Sequence, residues 1–378
     1  MRRLSSLPAL LLVATAVTVA GPSGTAQAYS DPASYRSLEE NAHPDWMAAV
    51  RGDASLADLS VPGTHDTLAV YGGGPTETQE RHERGDGRGG GSLAYQLRAG
   101  IRAIDIRVRM VADERGEAGF AIHHGAVYQH ANFDDVLREL RTFLREHPGE
   151  TVLLHMHAEC AGGITGCEDA DPCPECGTDH NHRRRQIFDA YVDANRELFW
   201  QPSVTGAADV PTLDEVRGKV VLVNWSGPHG GNYTDYGLAQ LNYADWPDEW
   251  GPQKNCYVQN SYQVGGISHI DDKWEKVHAQ LDRTNQAADC RDPGRPNGDK
   301  LYVNWTSGAS VWAYPYTVAG GTPTATGVNG FLHQCLTGRN GRCDTPSVKR
   351  TGVLMMDFPG HGLVDEIVRR NPVSGSTG

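Results

Sequence analysis

Eight apolar runs of strand length recur along the 378 residues of this chain and limit the folds that it can adopt. Helical stretches with apolar residues at 3.6-residue spacing lie between several of them, such as the stripe that follows Asn132. Alternating strands and helices are typical of a parallel sheet covered by helices. We therefore predict an α/β fold, a distorted (β/α)8 TIM-type barrel forming a single domain over residues 29–378, with an open α/β sheet as the alternative. The runs cover residues 57–61, 101–107, 120–123, 151–157, 219–225, 257–262, 301–305 and 353–357.

Polar and ionisable side chains recur at one end of these apolar runs. Barrel enzymes of this kind build their active sites at the carboxyl ends of the strands. Contact with solvent accounts for a single polar residue there, but two His, an Arg and several Asp need partners if they are buried. We predict that they partner one another around a ligand. The residues at these ends are His65, Asp105, Arg107, His124, His157, Asn224 and Asp357.

The first 28 residues have the pattern of a secretory signal peptide. Arg2 and Arg3 precede an apolar run over 7–20, and residues 26–28 form a small-x-small cleavage site. We predict a secreted, extracellular product; an uncleaved anchor is the alternative, although the run is short for a membrane span. Removal of the two arginines takes the formal net charge from −13 to −15. Such acidity argues against binding to nucleic acid and gives no general attraction to anionic lipid.

Eight cysteines, an even number, favour disulfide bonds in an exported protein. Cys335 and Cys343 are close in sequence and are expected to close a small loop. Cys256 and Cys290 are plausible partners for each other.

The other four cysteines lie in an insert at about 160–182 that is rich in Gly, Asp and Pro. Its sequence CPEC at 173–176 precedes His180 and His182, so a zinc knuckle is the alternative to disulfides here. The insert follows the fourth apolar run and reaches the same rim as the polar cluster. It either reshapes the ligand pocket or is decoration.

Two His and one Arg are the groups needed to cleave a phosphodiester without a metal. One His takes a proton from the attacking hydroxyl, and the other gives a proton to the leaving oxygen. The Arg makes charge-assisted bonds to the phosphate oxygens. A carboxylate on the far nitrogen of the basic His fixes its tautomer and stabilises its protonated form. If the attacking hydroxyl belongs to the substrate, the product is a cyclic phosphate.

Three motifs carry a resemblance to a known family: VPGTHD at 61–66, IDIR at 104–107 and HHG at 123–125. In order and spacing they resemble the X domain of bacterial phosphatidylinositol-specific phospholipase C. The segments KVVLV, LYVNWT and MD also agree with the family, and they lie at 219–223, 301–306 and 356–357. The resemblance implies a distorted barrel that cleaves phosphatidylinositol to diacylglycerol and inositol 1,2-cyclic phosphate.

The resemblance also implies the roles of the two catalytic histidines. His65 would be the general base on the inositol 2-hydroxyl, oriented by Asp357. His124 would be the general acid, helped by Asp66.

Arg107 would stabilise the phosphate, and Asp105 would hold Arg107 or His124. For Asp105, a buried strand carboxylate that merely pairs with Arg107 is the alternative. Calcium-dependent relatives place an acidic ligand where this chain has Arg107, and a guanidinium supplies the same positive charge. We therefore predict no metal and no other cofactor.

The residues that would grip the headgroup depart from the family pattern. The bacterial family uses Lys, Arg and Asp after the fourth, fifth and sixth strands. The nearest positions here are His157, Asn224 (or Trp225) and Asn260, whereas Tyr262 matches a ring-stacking Tyr. The reaction machinery is thus expected to be intact and headgroup recognition to be altered.

Trp312 lies in a segment that resembles a rim loop with an interfacial Trp in the family, so we expect peripheral membrane contact there. A core position for Trp312 is the alternative. The leading hypothesis is a monomeric enzyme acting on a phosphoinositide. The alternatives are the same chemistry on another inositol-phosphate conjugate, such as a glycosylated anchor or phosphoglycan, and a non-catalytic barrel that binds lipid or glycan.

Overall fold

The computed structural model describes most of the chain after the predicted signal peptide. The described residues are 38, 42–71, 91–112, 117–160, 167–170, 180–201, 210–226, 256–339, 343 and 348–373. The predicted signal peptide and the CPEC segment lie outside them. The strands are β1 Ser60–Thr64, β2 Ala103–Ala112, β3 Ala118–His124, β4 Val127–Asn132, β5 Val152–Ala158, β6 Val220–Ser226, β7 Val258–Gln259, β8 Val303–Trp305, β9 Gly321–Thr322, β10 Ala325–Thr326 and β11 Gly352–Met356.

Seven of these strands form one parallel sheet in the order β6, β5, β2, β1, β11, β8, β7. Counted from β1 in one direction the strands are β2, β5 and β6, and counted in the other direction they are β11, β8 and β7. This is the order of a barrel, in which the last strand, β11, returns to pair with the first, β1. Within the described ranges no ladder joins β6 to β7, so the barrel is not closed at that point. The predicted α/β fold class is confirmed.

The apolar run at 120–123 differs from the other seven. It forms β3, which pairs antiparallel with β2 over 108–112 and antiparallel with β4. Because β2 extends beyond the barrel, this hairpin stands outside the parallel set. His124 therefore reaches the site from the tip of a hairpin and not from the end of a barrel strand.

Helices cover the outer face of the sheet, as the apolar stripes predict. They are α1 Gly91–Ala99, α2 Phe133–Glu146, α3 His180–Ala194, α4 Leu213–Val216, α5 Ile270–Asn285, α6 Pro315–Gly320, α7 Val328–Leu336 and α8 His361–Val368. Helix α2 begins with a bond from the Asn132 N–H to Asp135 Oδ2 of 2.8 Å, and α4 begins with a capping box of Thr212 and Glu215. No described helix is long and apolar enough to cross a membrane.

A buried ion pair holds the end of the barrel opposite the carboxyl ends. Arg102 Nε donates to Glu150 Oε2 at 2.8 Å, and neither side chain is exposed. Arg102 also donates to the carbonyl oxygens of Leu97 and Pro44, and the Ala48 N–H donates to Glu150 at 2.9 Å. Full pairing is what makes such a burial of charge tolerable.

Three disulfides are present in the described part of the chain: Cys160–Cys167, Cys256–Cys290 and Cys335–Cys343. The last two are the pairings expected from the sequence, and both predictions are confirmed. The first ties the end of β5 to the start of the segment at 167–170. Cys173 and Cys176 lie outside the described residues.

Candidate active site

The turn after β1 presents His65 and Asp66. At Gly63 a Cβ would lie 2.7 Å from the Cβ and 2.8 Å from the carbonyl oxygen of Ala103, so glycine is required for β1 to approach β2 this closely. Asp66 has a positive φ of 45°, and its N–H donates to Asp105 Oδ2 at 3.0 Å. This bond to a neighbouring strand holds the turn in a conformation that is uncommon for a residue other than glycine.

His65 and Asp357 form a hydrogen-bonded pair across the ends of β1 and β11. His65 Nδ1 lies 2.8 Å from Asp357 Oδ1, and Asp357 is 3% exposed. The Asn329 side chain donates to the carbonyl oxygens of Asp357 and Phe358 at 2.8 and 3.0 Å. The edge of Trp305 packs against the His65 ring at 5.5 Å between centroids. The imidazole is thus oriented from both sides, as a catalytic base requires.

Arg107 lies at the centre of the cluster. Its Nη2 is 2.9 Å from His65 Nε2, its Nε is 3.2 Å from Asp105 Oδ2, and its Nη1 is 3.1 Å from Glu159 Oε2. Its Nε also pairs with Asp66 Oδ1. Burial opposes the charge, but Asp105, Asp66 and Glu159 outweigh it and raise the pKa of Arg107. The guanidinium is a permanent positive charge beside His65.

His65 is subject to two opposing influences. Burial lowers its pKa, but the Asp66 and Asp357 carboxylates outweigh burial and raise the pKa to about 9. Arg107 acts the other way, because a guanidinium can only donate and its bond to Nε2 needs an unprotonated nitrogen there. With Arg107 in this place we assign the neutral ring, with its proton on Nδ1 facing Asp357.

Asp66 stands between the two predicted catalytic histidines. Its Oδ2 lies 3.6 Å from His65 Nε2 and 3.5 Å from His124 Nε2. His124 comes from the tip of the β3–β4 hairpin, where Gly125 has a φ of 55°. Glycine readily adopts this conformation in a two-residue hairpin loop. The structure therefore brings together the histidines that the motifs predicted.

Asp105 is a fully buried partner for several groups. Besides Arg107 and the Asp66 N–H, it contacts His155 Nδ1 at 2.8 Å through Oδ1. Burial raises its pKa, but Arg107 and His155 outweigh burial and hold the pKa well below its usual range. Of the two partners predicted for Asp105, the described contacts show Arg107 and do not include His124.

The predicted headgroup residues are placed at the same rim. His157 Nε2 lies 3.8 Å from Glu159 Oε2, and burial together with Arg107 lowers the pKa of His157 to about 4, so it is neutral at pH 7. Asn260 and Tyr262 follow β7 and are half-buried. Asn224 lies beside His155 in the β5–β6 ladder, and its side chain is outside the described residues.

Trp312 is 77% exposed and its neighbour Val311 is 75% exposed. The alternative of a core position for Trp312 is therefore wrong. Ile267 is also exposed, and Trp312 Cβ lies 3.8 Å from the position of a Cβ on Gly266. These exposed apolar side chains lie on segments that follow β7 and β8 and approach each other at Gly266, and together they are called the apolar patch around Trp312.

Glu159 and His155 belong to the site but were not predicted. Both lie on or just after β5, and together with His157 they alternate along one face, which is the signal that was available in the sequence. Glu159 is paired with Arg107 and also accepts from the Gly125 N–H at 2.7 Å. It joins Arg107 to the hairpin that carries His124.

Among the described residues, one group of side chains has ligand atoms close enough together to hold a metal ion. It consists of His65, Asp66 and Asp105, whose ligand atoms lie within 4.8 Å of one another. Two of these three residues already pair with the guanidinium of Arg107, and the third contacts it through Nε2. The positive charge that such a cluster requires is therefore supplied by the chain itself.

Comparison with known proteins bears on this geometry. A family model described as the X domain of phosphatidylinositol-specific phospholipase C matches residues 89–163, which include Asp105, Arg107, His124 and Glu159. The 1-phosphatidylinositol phosphodiesterase of Listeria monocytogenes is 25% identical over 326 residues, covering 86% of this chain and 84% of the relative. The protein of the same name from Staphylococcus aureus strain Newman is 25% identical over 352 residues, covering 86% and 94%.

Solved structures agree in fold. The phosphatidylinositol-specific phospholipase C of Listeria monocytogenes superimposes with a TM-score of 0.55 at 22% identity, covering 89% of this chain and 99% of that one. The Staphylococcus aureus enzyme gives 0.60 at 24% identity, covering 89% and 100%. The resemblance inferred from the sequence motifs is confirmed.

Proposed function

We propose that this relative of the bacterial phosphatidylinositol-specific phospholipases C is a phosphodiesterase that cleaves phosphatidylinositol to diacylglycerol and inositol 1,2-cyclic phosphate. One observation carries the proposal. A single carboxylate oxygen, Asp66 Oδ2, lies within 3.6 Å of the Nε2 atoms of both His65 and His124, and Arg107 lies beside them. Two imidazoles that face one carboxylate oxygen, with a guanidinium beside it, can serve the attacking and the leaving oxygen of a displacement at phosphorus.

In the proposed reaction His65 Nε2 accepts the proton of the inositol 2-hydroxyl. The hydroxyl oxygen forms a new bond to phosphorus, and the bond from phosphorus to the glycerol oxygen breaks. His124 gives its proton to that oxygen, which leaves as the alcohol of diacylglycerol. Asp357 stabilises the imidazolium that forms on His65, because its carboxylate faces Nδ1 at 2.8 Å.

Arg107 has to change partner during substrate binding. In the absence of substrate it donates to His65 Nε2, the same atom that accepts the proton in the reaction. A substrate phosphate competes for the guanidinium with its own negative oxygens, which are stronger acceptors than a neutral imidazole. Binding of the phosphate thus uncovers the base and places Arg107 where the charge develops.

The reaction is proposed to need no metal ion. Arg107 occupies the space between Asp66 and Asp105 where a cation would bind, and it neutralises both carboxylates. Displacing a buried guanidinium with three carboxylate partners would leave it with an unpaired charge. Activity in the presence of EDTA tests this point.

We also propose a second class of substrate, because the residues expected to bind the headgroup differ from those of the bacterial family. His157 is neutral at pH 7, so it offers hydrogen bonds to hydroxyl groups but no positive charge. Another inositol-phosphate conjugate, such as a glycosylated lipid anchor or a phosphoglycan, would be cut by the same groups. A non-catalytic binding barrel is disfavoured, because the complete pairing of His65, Asp357 and Arg107 has no evident use in binding alone.

The protein is proposed to act outside the cell at a lipid surface. The predicted signal peptide and the disulfides Cys256–Cys290 and Cys335–Cys343 favour secretion. The net negative charge gives no electrostatic attraction to the membrane, so contact is assigned to the apolar patch around Trp312.

The test is phosphorus NMR of the mature protein with phosphatidylinositol in detergent micelles and EDTA. We expect the signal of a five-membered cyclic phosphate, lost in His65→Ala and His124→Ala. Absence of turnover with wild type would refute phosphatidylinositol as substrate and direct the assay to glycosylated inositol phosphates. Turnover that appears only on addition of calcium would refute metal independence.

A further inference from the structure

We propose that the disulfide Cys160–Cys167 is a positioning element for catalysis, which holds the hairpin tip that carries His124. The proposal rests on the function assigned above, because it gives His124 the role of general acid. It assigns a use to the Cys-rich insert, which the sequence left open between a part of the site and decoration.

The disulfide touches the residue next to His124. Cys167 Sγ lies 3.1 Å and Cys160 Sγ 3.6 Å from the carbonyl oxygen of Gly125. Disulfide sulfurs carry no hydrogen, so these are close packing contacts and not hydrogen bonds. Cys160 is 1% exposed. The sulfur pair is therefore a rigid surface against which the hairpin tip rests.

The other peptide group of Gly125, the one that joins it to His124, is held by Glu159. The Gly125 N–H donates to Glu159 Oε1 at 2.7 Å, and Glu159 Oε2 pairs with Arg107 at 3.1 Å. Residues 159 and 160 are adjacent, so one short segment after β5 contacts both the N–H and the C=O of Gly125. A displacement of Cys160 would move Glu159 as well, and with it the spacing between His124 and Arg107.

The far end of the disulfide is anchored to the part of β2 that extends beyond the barrel. The segment at 167–170 runs alongside this part of β2. The Ala170 N–H donates to Met110 O at 2.9 Å, and the Met110 N–H donates to Asp169 Oδ1 at 2.7 Å. Arg109 Nε donates to Glu168 O at 2.8 Å. The disulfide thus links a fixed segment to the end of β5, across the tip of the hairpin.

The hairpin needs such support because it stands outside the barrel. Of the two catalytic histidines, His65 follows a parallel strand of the barrel, whereas His124 ends an antiparallel strand of the hairpin. The His124 Nε2 atom lies 3.5 Å from Asp66 Oδ2. The buried Nδ1 atom has no hydrogen-bond partner among the described residues. The position of the His124 ring therefore depends on the backbone of the hairpin tip more than on side-chain bonds.

The chain offers a matched control for a test. Cys160–Cys167 and Cys335–Cys343 join residues separated by 7 and 8 positions, so they constrain the unfolded chain by similar amounts. The double variants Cys160→Ser/Cys167→Ser and Cys335→Ser/Cys343→Ser should lose similar thermal stability. Any difference between them at the active site comes from where the bond lies.

We would measure kcat and KM on phosphatidylinositol micelles and the 1H–13C signal of the His124 ring in both variants. We expect kcat to fall about 10- to 100-fold in the first variant only, with KM nearly unchanged, since a misplacement of about 1 Å can cost about 10²-fold. The His124 ring signal should shift or broaden in the first variant only. Equal kcat values and an unchanged ring signal would overturn the proposal.

Two further arms keep the result decisive. If the first variant does not fold, the folded wild type is reduced with a phosphine, and mass spectrometry identifies when Cys160–Cys167 opens. Loss of rate that follows this opening supports the proposal, and a full rate after it refutes the proposal. If the wild type does not cleave the substrate at all, the proposed function fails, and the His124 ring signal alone still decides whether the disulfide positions the ring.

Discussion

Replacement of Asp357 by Asn tests whether the carboxylate stabilises a protonated His65. Asn has the same shape and its Oδ1 can still accept from His65 Nδ1, which is 2.8 Å from the carboxylate oxygen. The bonds from Asn329 go to backbone carbonyl oxygens, so they do not depend on the exchanged side chain. The substitution therefore removes the charge and leaves the loop in place.

The magnitude follows from the charge separation. With charge centres about 4 Å apart and an effective dielectric constant of about 20, an imidazolium and a carboxylate attract by about 4 kcal/mol. The imidazolium forms only as the ring takes the proton, so most of this energy is gained in the transition state. Losing about 3 to 4 kcal/mol lowers kcat by about 10²- to 10³-fold and leaves KM nearly unchanged.

The assay is kcat and KM on phosphatidylinositol micelles for wild type, Asp357→Asn and Asp365→Asn. Asp365 is the matched control, because it also pairs with a histidine but lies outside the site. Its Oδ1 is 2.6 Å from His43 Nε2. We expect Asp365→Asn to retain wild-type kcat. A kcat of Asp357→Asn within threefold of this control would show that the carboxylate does not stabilise the imidazolium.

Three other predictions concern stability and the membrane. Arg102→Met should lower the free energy of unfolding by about 3 to 5 kcal/mol in urea titrations, because Glu150 is left as a buried unpaired charge, whereas kcat of the folded variant stays unchanged. Trp312→Ala should weaken partition to phosphatidylcholine vesicles about 10-fold in sedimentation assays, with unchanged turnover of a monomeric soluble substrate, and equal partition would contradict the assigned patch. Burial together with Arg107 lowers the pKa of His157 from its ordinary 6.5 to about 4, so protonation of this ring costs the folded state nothing above pH 6.5 and destabilises it increasingly as the pH falls from 6.5 to 4. The free energy of unfolding of wild type minus that of His157→Gln should therefore decrease as the pH falls from 6.5 to 4, and a constant difference would exclude a lowered pKa.

Local sequence signals were enough for most secondary structure. Seven apolar runs became parallel strands because each can be buried on both faces of the sheet, and the helix after Asn132 has its apolar stripe in the core. The run at 120–123 has the same composition but pairs antiparallel within a hairpin. A short apolar run does not encode its partner or its direction, so this difference could not be read from the pattern.

The site was only partly accessible to sequence reasoning. Chemistry-bearing residues at the ends of apolar runs indicated His65, Arg107 and His124, and the family resemblance supplied their roles. Glu159 was missed because a carboxylate that follows a strand is common and has no distinguishing neighbours in the chain. Its importance comes from two contacts, to Arg107 and to the Gly125 N–H, which exist only after β5 lies beside β2.

The sequence by itself therefore determined the α/β class, the strand ends that carry chemistry and the kind of reaction these side chains support. Tertiary structure alone decided which nitrogen of His65 faces Asp357, which carboxylates neutralise Arg107 and what the Cys160–Cys167 bond touches. The physical reason is distance along the chain. His65 and Asp357 are 292 positions apart, and periodicity, capping and turn signals act over a few residues, so such contacts arise only when the strands close into one sheet.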